Sequence, residues 1–358
     1  MTDIPKPAIA KTRIAVVGLG MAVTPHAKGL VDLADRVEVA YAFSPSEKRR
    51  RSFQEKFPFP VCDRLETILD DRTVEAVLVL TPANTHGDIA ARCAAAGKHV
   101  LLEKPLETTT DRASSLVRAC REAGVTLGVV LQHRFRPAGM RLAELLANGE
   151  LGAVVGCSTI IRLWRPQSYY DEPGRGTLAR DGGGVLMSQG IHTLDLMLTL
   201  AGPIAEVAGY TATTPVHRME TEDMVCAAAR FVSGAIGTID ATTAAFPGFL
   251  EQIILTCERG TAMLAGTALK VQFHDGRSID MASDQSSGGA GADPMAFPHD
   301  YHRAVIADFI GAIRTGGVPR VTGEEALKVH RLIDALIETG ATGKAVPPLV
   351  HGDRAGSD

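Results

Sequence analysis

Lys104 is the side chain of this sequence best placed to move a proton. It belongs to the tripeptide Glu103-Lys104-Pro105, which directly follows the strand-like run at residues 99–102. Ligands of open α/β sheets bind beyond the carboxyl ends of the strands, and a following proline favours an extended backbone at the residue before it. The pattern therefore predicts a lysine at the rim of a ligand crevice. On the tripeptide alone, a solvated lysine in a turn is the simpler interpretation.

His192 is a second candidate for proton transfer. It lies in the segment 185–200, which is apolar nearly all round and therefore predicts a buried helix. The polar exceptions recur at helical spacing and fall on one stripe: Ser188, His192, Asp195 and Thr199. Unpaired polar groups on a buried helix are costly, so the stripe must face partners or a cleft. A core histidine with local partners is the alternative, but a lysine in the neighbouring crevice favours His192 as a proton donor or acceptor.

A glycine-rich turn predicts a dinucleotide site. The chain reads Val-Val-Gly18-Leu-Gly20-Met21-Ala22-Val23 at the end of the first strand-like run. Gly18 permits a tight turn, and Gly20 lets a diphosphate approach the backbone at a helix N-terminus. The third small position of the fingerprint is filled by Val23. Because the run sits inside a βαβ unit, we prefer dinucleotide binding by Gly18, Gly20, Met21 and Ala22 over a generic turn.

The end of the second strand bears on the choice of cofactor. An NAD site would carry an acidic residue there, but the chain has Ser44, followed by Ser46, Lys48 and Arg49. Hydroxyls and cations suit a 2′-phosphate better than a bare diol. The run Ser44-Pro45-Ser46-Glu47 is also a helix capping box with proline at the first helical position. Both interpretations can hold together, and the sequence slightly favours NADP over NAD.

Two domains are expected for 358 residues. In the first third, short β-branched runs alternate with helical stretches, which is typical of a parallel, doubly wound sheet. These predicted strands are residues 13–17, 37–43, 74–80, 99–102 and 126–131, with helices at 89–96 and 111–123 among those between them. We therefore expect an α/β Rossmann domain over residues 1–135.

Beyond residue 137 the pattern changes to longer strand candidates joined by short turns, which indicates a large, mainly antiparallel open sheet. The predicted strands are residues 153–164, 204–214, 223–232, 235–245 and 250–257, and helices are predicted at 301–314 and 324–339. We expect an α+β domain for substrate binding and oligomerisation over residues 136–350, a mobile loop at 284–292 and a flexible tail at 351–358.

Composition excludes several classes of partner. The net charge of −4 and the absence of a basic stripe argue against nucleic acid and against a membrane surface. No signal-peptide or membrane-length apolar run occurs, so the expected location is cytoplasmic. The six cysteines are scattered without a Cys-x-x-Cys pair. The run from His299 to His302 lacks a convincing ligand set, and no metal site is predicted.

These motifs together resemble the glucose-fructose oxidoreductase / inositol dehydrogenase family, written Gfo/Idh/MocA. The resemblance covers about residues 13–347 and is carried by the following runs: Gly18-Leu19-Gly20, Thr81-Pro82-Ala83-Asn84-Thr85-His86, Ala95-Ala96-Gly97-Lys98-His99-Val100, Glu103-Lys104-Pro105, and Gly182-Gly183-Gly184 up to His192 and Asp195. It implies a sugar or polyol substrate, a homodimer or homotetramer, and a Lys104–Pro105 peptide that can be cis.

The resemblance also implies residue roles. Lys104 and His192 would be the catalytic pair. The residues implied to line the nicotinamide and ribose are Thr81, Pro82, Asn84, His86 and Glu103, with Lys104 and Gln132 also assigned to the cofactor. The residues implied to contact the sugar are Gln132, Arg134, Trp164, Arg165, Tyr169 and Tyr170, with Ser188 and Asp195 added to them.

One departure from the family pattern affects His192. Many members carry aspartate four residues before the catalytic histidine, where this chain has Ser188. His192 is therefore expected either to lack a carboxylate partner or to borrow Asp195. Three functions remain open: an NAD(P)-dependent sugar or polyol dehydrogenase or reductase, a glycoside hydrolase that oxidises its substrate transiently with bound NAD, and a non-catalytic cofactor-binding regulator. Lys104 and His192 argue against the third.

Overall fold

A computed structural model describes residues 11–283 and 298–348. The first part of the chain forms a six-stranded parallel sheet: β1 (Thr12–Val17), β2 (Val37–Phe43), β3 (Val61–Cys62), β4 (Ala76–Val79), β5 (His99–Glu103) and β6 (Leu127–Val130). The strand order is β3-β2-β1-β4-β5-β6. Every residue of β4 and β6 is buried, because helices cover both faces of the sheet. The order changes direction between β1 and β4, and ligands of such sheets bind at that point.

Helices connect these strands and lead out of the sheet: α1 (Val23–Asp32), α2 (Glu47–Gln54), α3 (Glu66–Asp70), α4 (His86–Ala95), α5 (Thr110–Glu122) and α6 (Pro137–Ala147), with 3-10 turns at Ala83–Thr85 and Gln132–Phe135. Ser46, whose side chain accepts from the amide of Arg49, is the N-cap of α2. The capping box expected at Ser44 is therefore wrong by two residues. Ser44 Oγ instead accepts from the amide of Ser46 at 3.3 Å, a local turn that serine hydroxyls commonly make.

The second sheet has eight strands: β7 (Val154–Arg162), β8 (Ile204–Ala212), β9 (Met224–Phe231), β10 (Ile236–Thr242), β11 (Gln252–Cys257), β12 (Gly260–Ala265), β13 (Ala268–Phe273) and β14 (Ser278–Met281). Their order is β14-β13-β12-β11-β7-β10-β9-β8, and all neighbours are antiparallel except β7 and β10. Buried and exposed residues alternate along β9, which shows that one face of the sheet packs on helices while the other stays open.

The remaining helices pack between and around the two sheets: α7 (Gln167–Tyr170), α8 (Leu178–Asp181), α9 (Ile191–Ala201), α10 (Asp300–Thr315) and α11 (Gly323–Thr342). A π-helical turn, Leu186–Gly190, leads into α9. α10 packs on α1, while α11 contacts both β8 and α5. α11 thus joins the second sheet to the first.

The triple glycine before α9 is required by close backbone contacts. Gly182 has φ +76°, and a Cβ there would lie 2.5 Å from the carbonyl oxygen of Thr108. A Cβ on Gly184 would lie 1.7 Å from the carbonyl oxygen of Glu222. The carboxylate of Glu222 accepts from the amides of Gly184 and Leu186. Only glycine lets the start of this segment lie against the loop that follows β5.

The expected fold class, a parallel Rossmann-type sheet followed by a mainly antiparallel one, is confirmed. The strands β12 to β14 and the helix α6 were not anticipated. The loop expected at 284–292 and the tail at 351–358 lie outside the described residues. Among the helices described, none is both long and apolar enough for a membrane span. The domain boundary at residue 135 stays a prediction.

Candidate active site

A cavity of about 910 Å³ opens beyond the carboxyl ends of β1, β4 and β5. Its wall combines the loops that follow these strands with residues from 163–192 of the second part of the chain, including Arg165, Tyr169 and His192. The cavity is thus long enough to present two different kinds of wall. A glycine-rich turn lies at one end, and a group of charged side chains lies at the other.

The glycine-rich turn fits a dinucleotide. Gly18 has φ +104°, and a Cβ there would lie 2.8 Å from the backbone of Leu80. A Cβ on Gly20 would have no neighbour within 4 Å, so the backbone faces open space. α1 begins at Val23, and its N-cap residue Ala22 supplies no side-chain cap, which leaves amides of the first turn available to an anion. Gly18, Gly20, Met21 and Ala22 all line the cavity.

Ser44 and Arg49 line the same end of the cavity, together with Phe43 and Pro45. Ser44 is 2% exposed, and its carbonyl accepts from Arg50 Nη1 at 2.7 Å. No acidic residue stands among these four lining residues. Ser46 and Lys48 do not line the cavity, and the Ser46 side chain caps α2.

Four residues predicted to lie near the nicotinamide have different positions. Thr81 and Pro82 line the cavity. His86 is fully buried behind it, with its ring nitrogens 2.8 Å from the Thr81 carbonyl and 2.9 Å from the Pro105 carbonyl. Burial lowers the pKa of His86, although the two carbonyls oppose that shift. Asn84 is exposed and does not line the cavity. His86 thus connects the loops after β4 and β5.

Lys104 links the first sheet to the second part of the chain. Its Nζ donates to the backbone carbonyl of Ser188 at 2.6 Å, and the Lys104–Pro105 peptide is cis. Burial lowers the pKa of Lys104, the neighbouring Glu103 opposes that shift, and the charge of Arg175 adds to it. The contact is to the Ser188 main chain, since the Ser188 hydroxyl donates to the carbonyl of Gly184.

Glu103 is held on both sides. Its Oε1 accepts from His26 Nε2 at 2.7 Å, and its Oε2 accepts from the amide of Lys104 at 2.9 Å. Burial would raise the pKa of Glu103, but the hydrogen bond from His26 and nearby positive charge lower it to about 2. Among the described residues, His26, Glu103 and His302 are the set close enough to share an ion, with donor atoms within 4.8 Å of one another. The expectation of no metal stays a prediction.

His192 lines the cavity and is 9% exposed. Its ring centroid lies 4.9 Å from that of His133, and His133 Nε2 accepts from Arg136. Burial lowers the pKa of His192 well below its ordinary value, and the charge of Lys104 adds to this effect. His192 is therefore neutral near pH 7 and able to accept a proton.

The structure does not support the expectation that His192 borrows Asp195. Both oxygens of Asp195 accept from Arg134, Nε at 2.7 Å and Nη2 at 2.6 Å. Asp195 is completely buried, and neither Asp195 nor Arg134 lines the cavity. Three residues on a helix correspond to about 300° of rotation, which leaves the two side chains about 60° apart, so the pairing with Arg134 is what keeps the Asp195 carboxylate from His192. Arg134 and Asp195 therefore do not lie where a substrate-binding role requires.

The predicted sugar contacts divide between the wall and the core. Arg165 and Tyr169 line the cavity, as do Gln132 and Ser188. Trp164 lies outside it against Phe246, with ring centroids 5.5 Å apart. Tyr170 also lies outside, and its hydroxyl is 2.8 Å from that of Thr243. Adjacent residues of an extended or helical segment point in different directions, so one member of each neighbouring pair reaches the cavity.

Several cavity residues were not anticipated from the sequence: His133, Arg136, Glu172, Arg175, Arg180, Asp181, Gln189, Glu251 and His302. The density of arginine at positions 162–180 was the available signal for part of this set. His133 and Arg136 lie in the connection that leaves the first sheet, and Glu251 comes from the second sheet. Only the packing of the two parts brings them together.

Sequence models of known families match both parts of the chain. Residues 12–131 match the oxidoreductase family with an NAD-binding Rossmann fold, and residues 140–263 match the GFO/IDH/MocA C-terminal domain. The chain belongs to the Gfo/Idh/MocA family. It is accordingly an NAD(P)-dependent oxidoreductase, as the family resemblance implied.

Relatives of known activity align over most of the chain. It is 29% identical to D-xylose 1-dehydrogenase (NADP(+)) 2 of Haloferax volcanii, over 87% of this chain and 93% of that protein. It is 26% identical to myo-inositol 2-dehydrogenase of Thermotoga maritima, over 87% and 91% of the respective chains. Among solved structures, the WlbA dehydrogenase of Bordetella pertussis in complex with NADH and UDP-GlcNAcA aligns with a TM-score of 0.82 at 27% identity, covering 95% of this chain and 98% of that one.

We predict that Asp195→Asn destabilises the protein strongly. Removing one member of a buried ion pair leaves the other charge uncompensated, so the free energy of unfolding should fall by about 3–5 kcal/mol. The matched control is Glu206→Gln, which disrupts the exposed pair with Arg230 and should cost under about 1 kcal/mol. Denaturant unfolding measures both variants. Equally small losses in the free energy of unfolding for both variants would contradict a stabilising role for the Arg134–Asp195 ion pair.

Proposed function

We propose that the protein transfers hydride between a nicotinamide cofactor and a hydroxyl-bearing or keto carbon of a sugar, polyol or sugar derivative, with Lys104 and His192 as proton-transfer groups. The observation that carries the proposal is the position of these two side chains in one cavity that also contains the glycine turn. The relatives named above act on xylose and on inositol by their names, which supports a carbohydrate or polyol substrate.

Proton management is the task of the chain's own residues in this reaction. When bound, the nicotinamide takes up or supplies the hydride. In the direction of oxidation, the substrate hydroxyl gives its proton to the amine of Lys104 or to the imidazole of His192 as the carbonyl forms. In the direction of reduction, the same group returns the proton to the oxygen. The cavity walls hold the reacting carbon in place, which reduces the entropic cost of the step.

The environment of Lys104 suits a base. Burial lowers its pKa, which increases the fraction of neutral amine, while the adjacent Glu103 carboxylate limits that fall. The Ser188 carbonyl accepts from Nζ and directs the side chain. Burial and the charge of Lys104 both lower the pKa of His192, so its imidazole stays neutral. The neutral amine of Lys104 and the neutral imidazole of His192 are thus the two groups that can accept the proton of the substrate hydroxyl.

NADP is the cofactor that we propose. Ser44 and Arg49 line the end of the cavity beyond β2, and no carboxylate stands beside them to accept from a ribose diol. The xylose dehydrogenase relative is named for NADP(+), whereas the Bordetella structure holds NADH. The preference therefore depends on these local side chains rather than on family membership.

Assembly into a homo-oligomer and a cytoplasmic location stay predictions. The open face of the second sheet carries exposed apolar side chains, including Ile236 and Tyr210, which are 66% and 79% exposed. Apolar residues on an uncovered sheet face favour association with a second copy.

A hydrolase that uses bound NAD would differ from the proposed enzyme by showing no net nicotinamide turnover.

Lys104→Met should abolish turnover while cofactor affinity changes little. The substitution removes the amine but leaves the glycine turn untouched, so the loss should be at least about a hundredfold in kcat/KM. In the wild type, kcat/KM for oxidation should rise with pH through the lowered pKa of Lys104, because the neutral amine is the base. Steady-state rates across pH and cofactor titration measure both effects. Wild-type turnover in the variant would contradict the assignment.

His192→Ala should lower kcat by about a hundredfold or more if this imidazole transfers a proton. His133→Ala is the matched control, since it removes the neighbouring ring and leaves His192 in the cavity. We expect the His133 variant to lose much less activity. Stopped-flow measurement of the chemical step separates the two. A His192 variant with an unchanged rate would assign this residue to the core.

Ser44→Asp should shift the cofactor preference from NADP toward NAD. A carboxylate repels a 2′-phosphate and accepts from a ribose diol. We expect the ratio of kcat/KM values for the two cofactors to move by about tenfold or more, equivalent to about 1.4 kcal/mol. Arg51→Gln is the control, because Arg51 is exposed and pairs with Glu47. A wild type that already prefers NAD tenfold would overturn the proposal.

A further inference from the structure

Arginines from three places in the chain line the cavity at the end that contains Lys104 and His192. Arg165 follows β7, Arg175 lies between α7 and α8, and Arg136 lies between β6 and α6. Arg165 and Arg175 share one aromatic ring, with guanidinium carbons 6.0 Å and 4.7 Å from the centroid of Tyr169. A guanidinium over a tyrosine ring is stabilised in a defined orientation. The cavity thus has fixed cationic walls near the proton-transfer groups.

Some N–H groups of Arg175 and Arg136 have no hydrogen-bond acceptor within the described residues. Arg175 Nη1 donates to the Tyr169 hydroxyl at 3.0 Å, and its Nε donates to Glu172 at 3.2 Å. Within the described residues, no acceptor lies at its Nη2. Arg136 Nη1 donates to Glu251 at 3.5 Å and to the Gly266 carbonyl at 3.3 Å, its Nη2 donates to His133, and its Nε is buried without a partner among the described residues. Buried guanidinium N–H groups ordinarily have a hydrogen-bond acceptor.

The contrast with Arg134 is informative because it lies only two residues from Arg136. Arg134 is turned away from the cavity, and Asp195 accepts from it at both oxygens. The arginine behind the wall is therefore fully paired, while Arg175 on the wall keeps a donor available. Each acidic side chain on this part of the wall already accepts from a protein donor: Glu103, Glu172, Asp181 and Glu251.

We propose that the substrate is an oxyanion-bearing sugar or polyol, whose anionic group is bound by Arg175, with the positive charge of Arg136 on the wall of the same cavity. This inference rests on the proposed function and specifies its substrate class. A guanidinium matches the two oxygens of a carboxylate or phosphate with paired donors. The anion would anchor one end of the molecule, and the reacting carbon would then lie toward Lys104 and His192. Sugar acids and sugar phosphates share the required chemistry.

The test compares matched neutral and anionic compounds on the cofactor-loaded enzyme. The panel contains glucose, glucuronate and glucose 6-phosphate, with the corresponding galactose, xylose and inositol compounds. We expect the best substrate to be anionic, with kcat/KM about ten to a hundred times that of its neutral counterpart, as expected for a hydrogen-bonded charged group. The carboxylate and phosphate series identify which oxyanion is used. A neutral best substrate overturns the inference.

Variants connect the preference to the residue. Arg175→Gln should lower kcat/KM for the anionic compound by about ten- to a hundredfold, mostly through KM, and change the neutral one about twofold or less. Arg175→Lys keeps the charge without the fork and should give an intermediate loss. Arg218→Gln is the control, because Arg218 is exposed beside Asp171 and does not line the cavity. Equal losses on both compounds overturn the inference, and thermal unfolding checks that each variant is folded.

Failure of this inference can be distinguished from failure of the proposed function. If no panel compound is turned over with either cofactor, hydride transfer to sugars is contradicted. Calorimetric titration of the cofactor-loaded enzyme then decides the inference by itself. Tighter binding of anionic compounds than of their neutral counterparts, weakened by Arg175→Gln, supports the oxyanion site. Absence of that preference overturns it.

Discussion

The hydrogen bond from Lys104 Nζ to the carbonyl of Ser188 is the interaction on which the rest of the site depends. A buried amine is costly unless a partner compensates it, and this partner comes from the other part of the chain. The bond therefore sets the distance between the end of β5 and the segment that leads into α9. The carbonyl belongs to a π-helical turn, a feature often found at functional sites. His192 lies four residues after Ser188, just beyond that turn, and lines the same cavity.

Close packing around this bond keeps the two parts of the chain in register. Gly182 lies against Thr108, and Gly184 lies against Glu222, at distances that exclude any side chain. Glu103 is fixed between His26 and the amide of Lys104, so the backbone that presents the lysine cannot rotate freely. These contacts hold Lys104 and the segment that leads to His192 in fixed positions at the cavity. The cost of burying several charges is offset by their mutual hydrogen bonds.

The arginines illustrate how the same residue type serves different purposes a few residues apart. Arg134 ties the connection after β6 to α9 through Asp195 and reaches Glu325 on α11. Arg136 turns the other way, toward His133 and the cavity. A fully paired buried arginine contributes to structure, whereas a partly paired one on a cavity wall favours an anionic ligand. The part of the cavity lined by these arginines is thereby distinguished from the glycine-rich part by its chemistry.

The sequence by itself determined the class of fold, the family, the glycine turn and the lysine after β5, because these depend on local signals. Strand and helix periodicity, the spacing of Gly18 and Gly20, and the tripeptide at Glu103 are all read over a few residues. The tertiary structure alone decided which polar residues meet. The stripe of Ser188, His192 and Asp195 has the correct helical spacing, yet the π-helical turn and the pairing with Arg134 send its members to different surroundings. Trp164 and Arg165 are adjacent in sequence but separated by the direction of an extended backbone. Contacts between residues far apart in the chain, such as those that gather Arg136, Arg175 and Glu251 around one cavity, follow from the packing of two sheets, which no local pattern contains.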